Sequence, residues 1–252
     1  MQRLYPDAAN DLDPEAIYDT LRDDFPEPPA DRPYLFLNMV TSVDGKAALN
    51  GGAGGIGSAL DKRLMKAIRA ACDAVLNGAA TLRAEKIDPR VGEKYVARRI
   101  ARSLPPEPLA ILLSRTGDLP LDRRYFTYPG VSRLIVSGEG MPLEQRAALS
   151  AYAELLIAPG EEPDLTWVMR TLRETYGVRY LLVEGGPNVN GSLFAAGLVD
   201  EICWTLGPKI IGGGESLTLV NGPAFPLPVP LTLRSAYLHE DEFFMRYRVR
   251  PD

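Results

Sequence analysis

The sequence predicts an α/β fold, a mixed and mostly parallel sheet flanked by helices. Three observations carry this. Short apolar runs alternate with segments of helical period along most of the chain. Two of those runs end in small-residue turns that lead into helix starts, at 78–81 and 185–188. The chain then closes on two alternating runs, 231–238 and 243–249, joined by an acidic turn, the pattern of an antiparallel hairpin. A sheet of this class places its ligands at the carboxyl ends of its strands.

Taken in order, residues 1–32 read as an appendage. Asp13 is the expected N-cap and Pro14 the first helical residue of a short helix through Ile17, Tyr18 and Leu21, followed by the stiff linker 26–29. The domain is expected over 33–252. It opens with a nearly continuous apolar strand, 34–40, interrupted by Asn38, whose amide needs partners if buried. The glycine-rich segment 50–57 reads as a mobile loop over a site, and Ser58 with Asp61 as a capping pair for a helix whose Leu60, Leu64, Met65 and Ile68 share one face. Strands are expected at 73–77, 109–113, 132–136 and 154–158, and helices at 143–151 and 165–176, the last ended by Gly177. The proline-containing stretch 86–108 reads as an excursion with a helical piece at 96–101. A strand and an extended crossing are expected over 202–211.

The 252 residues can bury a sizeable core, and the net charge of −5 with scattered Lys and Arg gives no footprint for nucleic acid or an acidic membrane. No apolar run is long enough to span a bilayer and no signal peptide opens the chain, so a cytoplasmic protein is expected. Cys72 and Cys203 lie in separate apolar segments and read as buried free thiols. His239 is the single histidine, which removes most zinc sites and most histidine-based triads, and no metal is expected. It reads as a surface residue of the hairpin.

Residues 179–194 organise the rest. An apolar strand meets Glu184, Gly185, Gly186 and Pro187, and then Val189, Leu193 and Phe194 at helical spacing. Such a turn gathers unpaired N–H groups at the positive end of a helix, so a phosphate or pyrophosphate would fit; the competing reading is an ordinary strand-to-helix turn. Glu184 is an acid at the end of a buried-looking strand, where a charge has a partner or a task. Thr81 offers a hydroxyl and an N–H at the second such turn, as a phosphate ligand, an N-cap, or both. Asn38, Ser42 and Asp44 stand at a strand end and its turn, placed either to bond a heterocycle or to shape the turn. The glycine run 212–214 reads as a flexible loop.

Four stretches together, 38–46, 78–81, 183–187 and 197–201, resemble the reductase domain of bacterial riboflavin biosynthesis, a family with the dihydrofolate reductase fold. The resemblance runs from about Pro33 to Val249. It implies a three-layer α/β/α arrangement and NADPH held between the two glycine turns, by Thr81, Glu85, Glu184, Gly185, Gly186, Pro187 and Asn188. It further implies a substrate at Asn38, Ser42 and Asp44, the reduction of 5-amino-6-(5-phosphoribosylamino)uracil, and a homodimer. Asp44, Lys46 and an ordered water remain open as the proton donor. Ser114 and Arg115, following strand 109–113, match a Ser-Arg pair that reads the 2′-phosphate of NADPH in proteins of this fold. The sequence departs from the family in continuing the threonine turn with Ala84, Glu85, Lys86, Ile87, Asp88 and Pro89, and it carries no deaminase zinc signature. Two other functions fit the same wording. One is a dihydrofolate or dihydropteridine reductase, for which Asp61 is the nearest acid; the other is a non-catalytic NADP-binding regulatory module.

Overall fold

Residues 1–214 and 217–250 are described by a computed structural model. The chain begins with β1 (Gln2–Tyr5), a 3-10 turn (Pro14–Ala16), α1 (Leu21–Asp24), β2 (Tyr34–Ser42) and α2 (Ala59–Ala70). It continues through β3 (Ala74–Gly78), α3 (Ala79–Ala84), α4 (Glu93–Ala101), β4 (Leu109–Leu113), α5 (Arg124–Thr127), β5 (Arg133–Gly138) and α6 (Leu143–Leu149). Then follow β6 (Glu154–Ala158), α7 (Leu165–Glu174), β7 (Tyr180–Val183), α8 (Pro187–Ala195), β8 (Glu201–Gly207), β9 (Leu231–His239) and β10 (Glu242–Val249). The expected alternation and the closing hairpin are present. Two compact units divide the chain. The first is formed by Met1–Phe25, Leu35–Ile68 and Val183–Asp252, the second by Pro26–Tyr34 and Arg69–Leu182.

In the first unit the strands lie in the order β1, β9, β10, β8, β2. β8 pairs with β2 in parallel, while β10 runs antiparallel to both β8 and β9. Leu35, Phe36 and Leu37 of β2 are fully buried, as their continuous apolar run requires. The stretch 197–201 is architectural: Gly197 ends α8 at φ +65°, the Asp200 carboxylate accepts the Leu35 N–H (2.7 Å), and buried Glu201 pairs with Arg246 (2.7 Å). Arg246 also reaches Asp24 (3.3 Å) and lies over the Phe25 ring, which ties α1 to the sheet.

The N-terminal residues differ from expectation. Asp13 caps as expected, accepting the Glu15 N–H (2.9 Å), but the helix is only a 3-10 turn followed by one turn of α1. Residues 2–5, expected within an appendage, form β1 on the outer side of β9. The closing hairpin is paired on both sides: β10 lies between β9 and β8, and β9 is paired with β1 along Ala236 to Leu238. β1 escapes the sequence because its four residues are mostly exposed and carry no hydrophobic alternation.

In the second unit β7, β3, β4, β5 and β6 lie side by side, with parallel pairing from β3 to β6. Asp164 caps α7 by accepting the Thr166 and Trp167 N–H groups, and Val168, Met169 and Leu172 are its buried face. The excursion 86–108 is anchored by Arg99. Its guanidinium is buried and donates to the carbonyls of Cys72 (2.6 Å) and Pro105 (2.8 Å), so polar composition here reflects a buried cation with carbonyl partners.

Candidate functional site

Side-chain and main-chain hydrogen bonds close the turn after β2, in the expected substrate region. The Ser42 side chain is fully buried; its Oγ donates to Asp44 Oδ1 (2.6 Å) and accepts the Lys46 N–H (3.0 Å). Main-chain bonds from Ser42 N to Lys46 O (3.0 Å) and from Gly45 N to Ser42 O (2.9 Å) close the turn. Ser42 therefore shapes the turn and presents no hydroxyl to a ligand, a correction to its expected substrate contact. Asp44 also accepts the N–H groups of Ile211 (3.1 Å) and Gly212 (2.7 Å). The Ser42 hydroxyl and then the two amides hold its carboxyl down to about 2. A group so acidic is ionised at neutral pH, so its geometry opposes the expected role in proton donation. Half-buried Asn38 and Lys46 stand at the two ends of this segment.

The loop 50–57 is less free than its glycines suggest. Ile56 is fully buried, and the Lys209 ammonium donates to the carbonyls of Gly55 (2.6 Å) and Ile56 (2.9 Å). Ser58 caps α2 through the N–H groups of Leu60 (3.1 Å) and Asp61 (3.2 Å). Asp61 does not complete a capping box: Glu242 takes the Ser58 N–H (3.0 Å) instead. Burial pushes the Asp61 carboxyl up to about 6, with neighbouring Glu242 adding to the rise and a hydrogen bond with Thr205 opposing it.

The turn after β7 is built as the sequence indicates. Gly185 has φ +83°, a region costly for any other residue, and a Cβ there would stand 3.1 Å from Met39 Sδ. The Gly185–Gly186 peptide is cis. Gly186 is the N-cap of α8 and Pro187 its first residue, with no side chain capping the helix start. The Asn188 and Val189 amides thus open a helix whose positive end carries no protein acid in its first turn, and Gly185 and Gly186 themselves bring no side chain to it. These features fit a pyrophosphate. Glu184 is half-buried and Asn188 exposed.

In the second unit Thr81 is the third residue of α3, whose N-cap is Gly78. This corrects its alternative reading as a cap. Its carbonyl accepts the Glu85 N–H (2.8 Å), which places Glu85 at the carboxyl end of that helix. Ser114 is 2% exposed and its Oγ accepts the Gly117 N–H (3.1 Å), so it closes the turn after β4 and is not open to a phosphate. Arg115 is the opposite case. Its side chain is 68% exposed and only 4.0 Å from Glu162 Oε1, leaving the guanidinium available.

Residues 217–221 are the contacts that motif reading missed. The Leu217 carbonyl accepts the Ala47 N–H (2.8 Å), and Thr218 forms an antiparallel bridge with Lys46. The Leu219 carbonyl accepts from Asn190 Nδ2 (2.8 Å), and the Asn221 N–H donates to Pro187 O (3.0 Å). Its Nδ2 also donates to Asn188 Oδ1 (2.5 Å). The one signal was Asn190, a polar residue within the apolar spacing of α8. Elsewhere His239 ends β9 beside the acidic turn, and both cysteines are buried thiols outside any disulfide. Among the described residues no cluster of three or more His, Cys, Asp or Glu is arranged to hold a metal ion, and no helix is long and apolar enough to cross a membrane.

The RibD C-terminal domain family matches residues 33–241. The chain is 29% identical over 222 residues to the 2,5-diamino-6-ribosylamino-4(3H)-pyrimidinone 5′-phosphate reductase of Methanothermobacter thermautotrophicus, covering 87% of this chain and 99% of the relative. It is 32% identical over 198 residues to the enzyme of the same name from Archaeoglobus fulgidus, covering 77% and 89%. Among solved structures, a pyrimidine reductase-like protein from Corynebacterium diphtheriae superposes with a TM-score of 0.82 at 23% identity, over 96% of this chain and all of that one. That likeness establishes the expected α/β fold with its mixed sheet and C-terminal hairpin.

Proposed function

The chain belongs to that family, and on this premise we propose that it is an NADPH-dependent reductase of a ribosylaminopyrimidine 5′-phosphate. The observation that carries the choice of substrate is the alignment along 99% of a reductase of 2,5-diamino-6-ribosylamino-4(3H)-pyrimidinone 5′-phosphate. That compound is taken as the substrate, and 5-amino-6-(5-phosphoribosylamino)uracil is the second reading. Bound NADPH supplies a hydride. The acceptor is the sugar C1 of the ring-opened substrate, an imine; hydride at carbon and a proton at nitrogen turn the C=N bond into the C–N bond of a ribitylamino product.

The chain's own residues orient and protonate. The ionised Asp44 fixes the β2 turn through Ser42, Ile211 and Gly212. Lys46, the other charged side chain of that turn, is assigned delivery of the proton to the substrate nitrogen, and Asn38 a hydrogen bond to the pyrimidine. Glu184 through Asn188 and Thr81 with Glu85 are assigned to the cofactor, and Arg115 to its 2′-phosphate. A homodimer is part of the proposal. Light scattering is expected to give twice the chain mass of 27.6 kDa, and the single-chain mass at micromolar concentration refutes it. The function is tested by complementation. A riboflavin-requiring bacterial strain lacking its reductase grows without riboflavin when it carries this chain, and failure of a well-expressed chain to restore growth refutes the pathway.

A further inference from the structure

The fully buried side chain of Asn190 donates through Nδ2 to the Leu219 carbonyl (2.8 Å), while its buried Oδ1 meets no hydrogen-bond partner among the described residues. An unpaired buried amide oxygen costs stability, and a leucine, with the same branched skeleton and no polar atoms, would avoid that cost. What Asn190 holds is the segment 217–221, whose first residues bond Lys46 and Ala47 and whose last bonds Pro187 and Asn188. Gly191 gives independent support for this grip. A Cβ there would overlap the Asn221 carbonyl oxygen, so the segment lies flush on α8 only because residue 191 is glycine.

We infer that Asn190 is a positioning residue: it clamps 217–221 onto α8 and so sets the Pro187–Asn188 turn in register with Lys46. This rests on the reading of Pro187 and Asn188 as cofactor contacts and Lys46 as the proton source. All the bonds named lie within the first unit, and Asn190 itself touches neither ligand. One buried side chain thereby orders both halves of the expected chemistry.

The test is Asn190→Leu, read by NADPH fluorescence titration, the KM for the diaminopyrimidinone phosphate, and the midpoint of thermal unfolding. Loss of one neutral hydrogen bond that holds the turn is expected to raise the NADPH Kd and the substrate KM by about three- to tenfold. The unfolding midpoint stays level or rises, because removing the unpaired oxygen offsets the lost bond to Leu219. Gly191→Ala is expected to weaken both ligands in the same way by displacing Asn221, and it decides the matter where Asn190→Leu does not fold. A folded Asn190→Leu protein with unchanged affinities overturns the inference. So does a fall in affinity matched by a fall in the midpoint, the result of a purely structural role. Wild-type protein that binds no NADPH overturns the functional reading and this inference with it; wild-type binding beside unaffected variants overturns the inference alone.

Discussion

Replacing Arg115 by alanine is expected to weaken NADPH binding about tenfold and to leave NADH binding unchanged. The guanidinium follows β4, is 68% exposed, and has as its charged neighbour Glu162 at 4.0 Å, itself 76% exposed. Such a surface pair contributes roughly 0–1 kcal/mol, too little to hold the arginine from a dianionic phosphate. A charge-assisted bond to phosphate contributes roughly 1.5–3 kcal/mol, and the exposure sets this contact at the lower end, about 1.5 kcal/mol, or a factor of about ten. Buried Ser114 adds nothing, so Ser114→Ala should disturb the turn without changing the NADPH to NADH ratio. Fluorescence titration with both cofactors measures the effect. Between 0.1 and 1 M salt, where the Debye length falls from about 10 to about 3 Å, the Arg115 contribution should shrink. Equal losses for both cofactors, or no loss for either, refute the assignment of Arg115 to the 2′-phosphate.

Gly186→Val places a side chain at the N-cap of α8 and is expected to raise the NADPH Kd at least about tenfold, some 1.4 kcal/mol; unchanged affinity in the folded variant removes this turn from the cofactor site. Lys46→Met should lower kcat about a hundredfold with the NADPH Kd intact, and a variant retaining wild-type kcat excludes Lys46 as proton source. Asp61 gives a pH signature. Its folded-state value of about 6 lies above the reference 3.8, so the native state holds the extra proton and stability falls as pH rises from about 4 through 6. Asp61→Asn should therefore be more stable than wild type at pH 8, by up to about 3 kcal/mol, and no more stable below pH 4. Denaturant titrations across that range check the sign, and a stabilisation confined to acid would contradict it.

Much of the fold was legible because its signals are local. The buried strands are continuous apolar runs, Asp13 and Ser58 cap where their positions indicate, and Gly177 follows the end of α7 as expected. The glycine turn was legible too, since only glycine suits φ +83° at residue 185. What stayed hidden depends on partners distant in sequence. Ser42 and Ser114 look like ligand hydroxyls in a motif, yet each bonds its own turn and is buried. Asp44 reads as an acid, but three donors keep it ionised, two of them on residues 211 and 212. β1 exists only because β9 offers it an edge, and the hold of 217–221 on α8 appears only when Asn190 is seen to be buried. Spacing along the chain reports what neighbours do to one another; it does not report which distant carbonyl a side chain will meet.

The reaction proposed for this chain is hydride transfer from NADPH to the sugar carbon of a ribosylaminopyrimidine phosphate. Its most direct measurement follows NADPH absorbance with purified protein and 2,5-diamino-6-ribosylamino-4(3H)-pyrimidinone 5′-phosphate, beside 5-amino-6-(5-phosphoribosylamino)uracil and dihydrofolate. The expected result is NADPH oxidation with the diaminopyrimidinone phosphate at the highest kcat/KM, a ribitylamino product, and no oxidation with dihydrofolate. NADPH that binds but is consumed with neither pyrimidine, or is consumed with dihydrofolate instead, contradicts it.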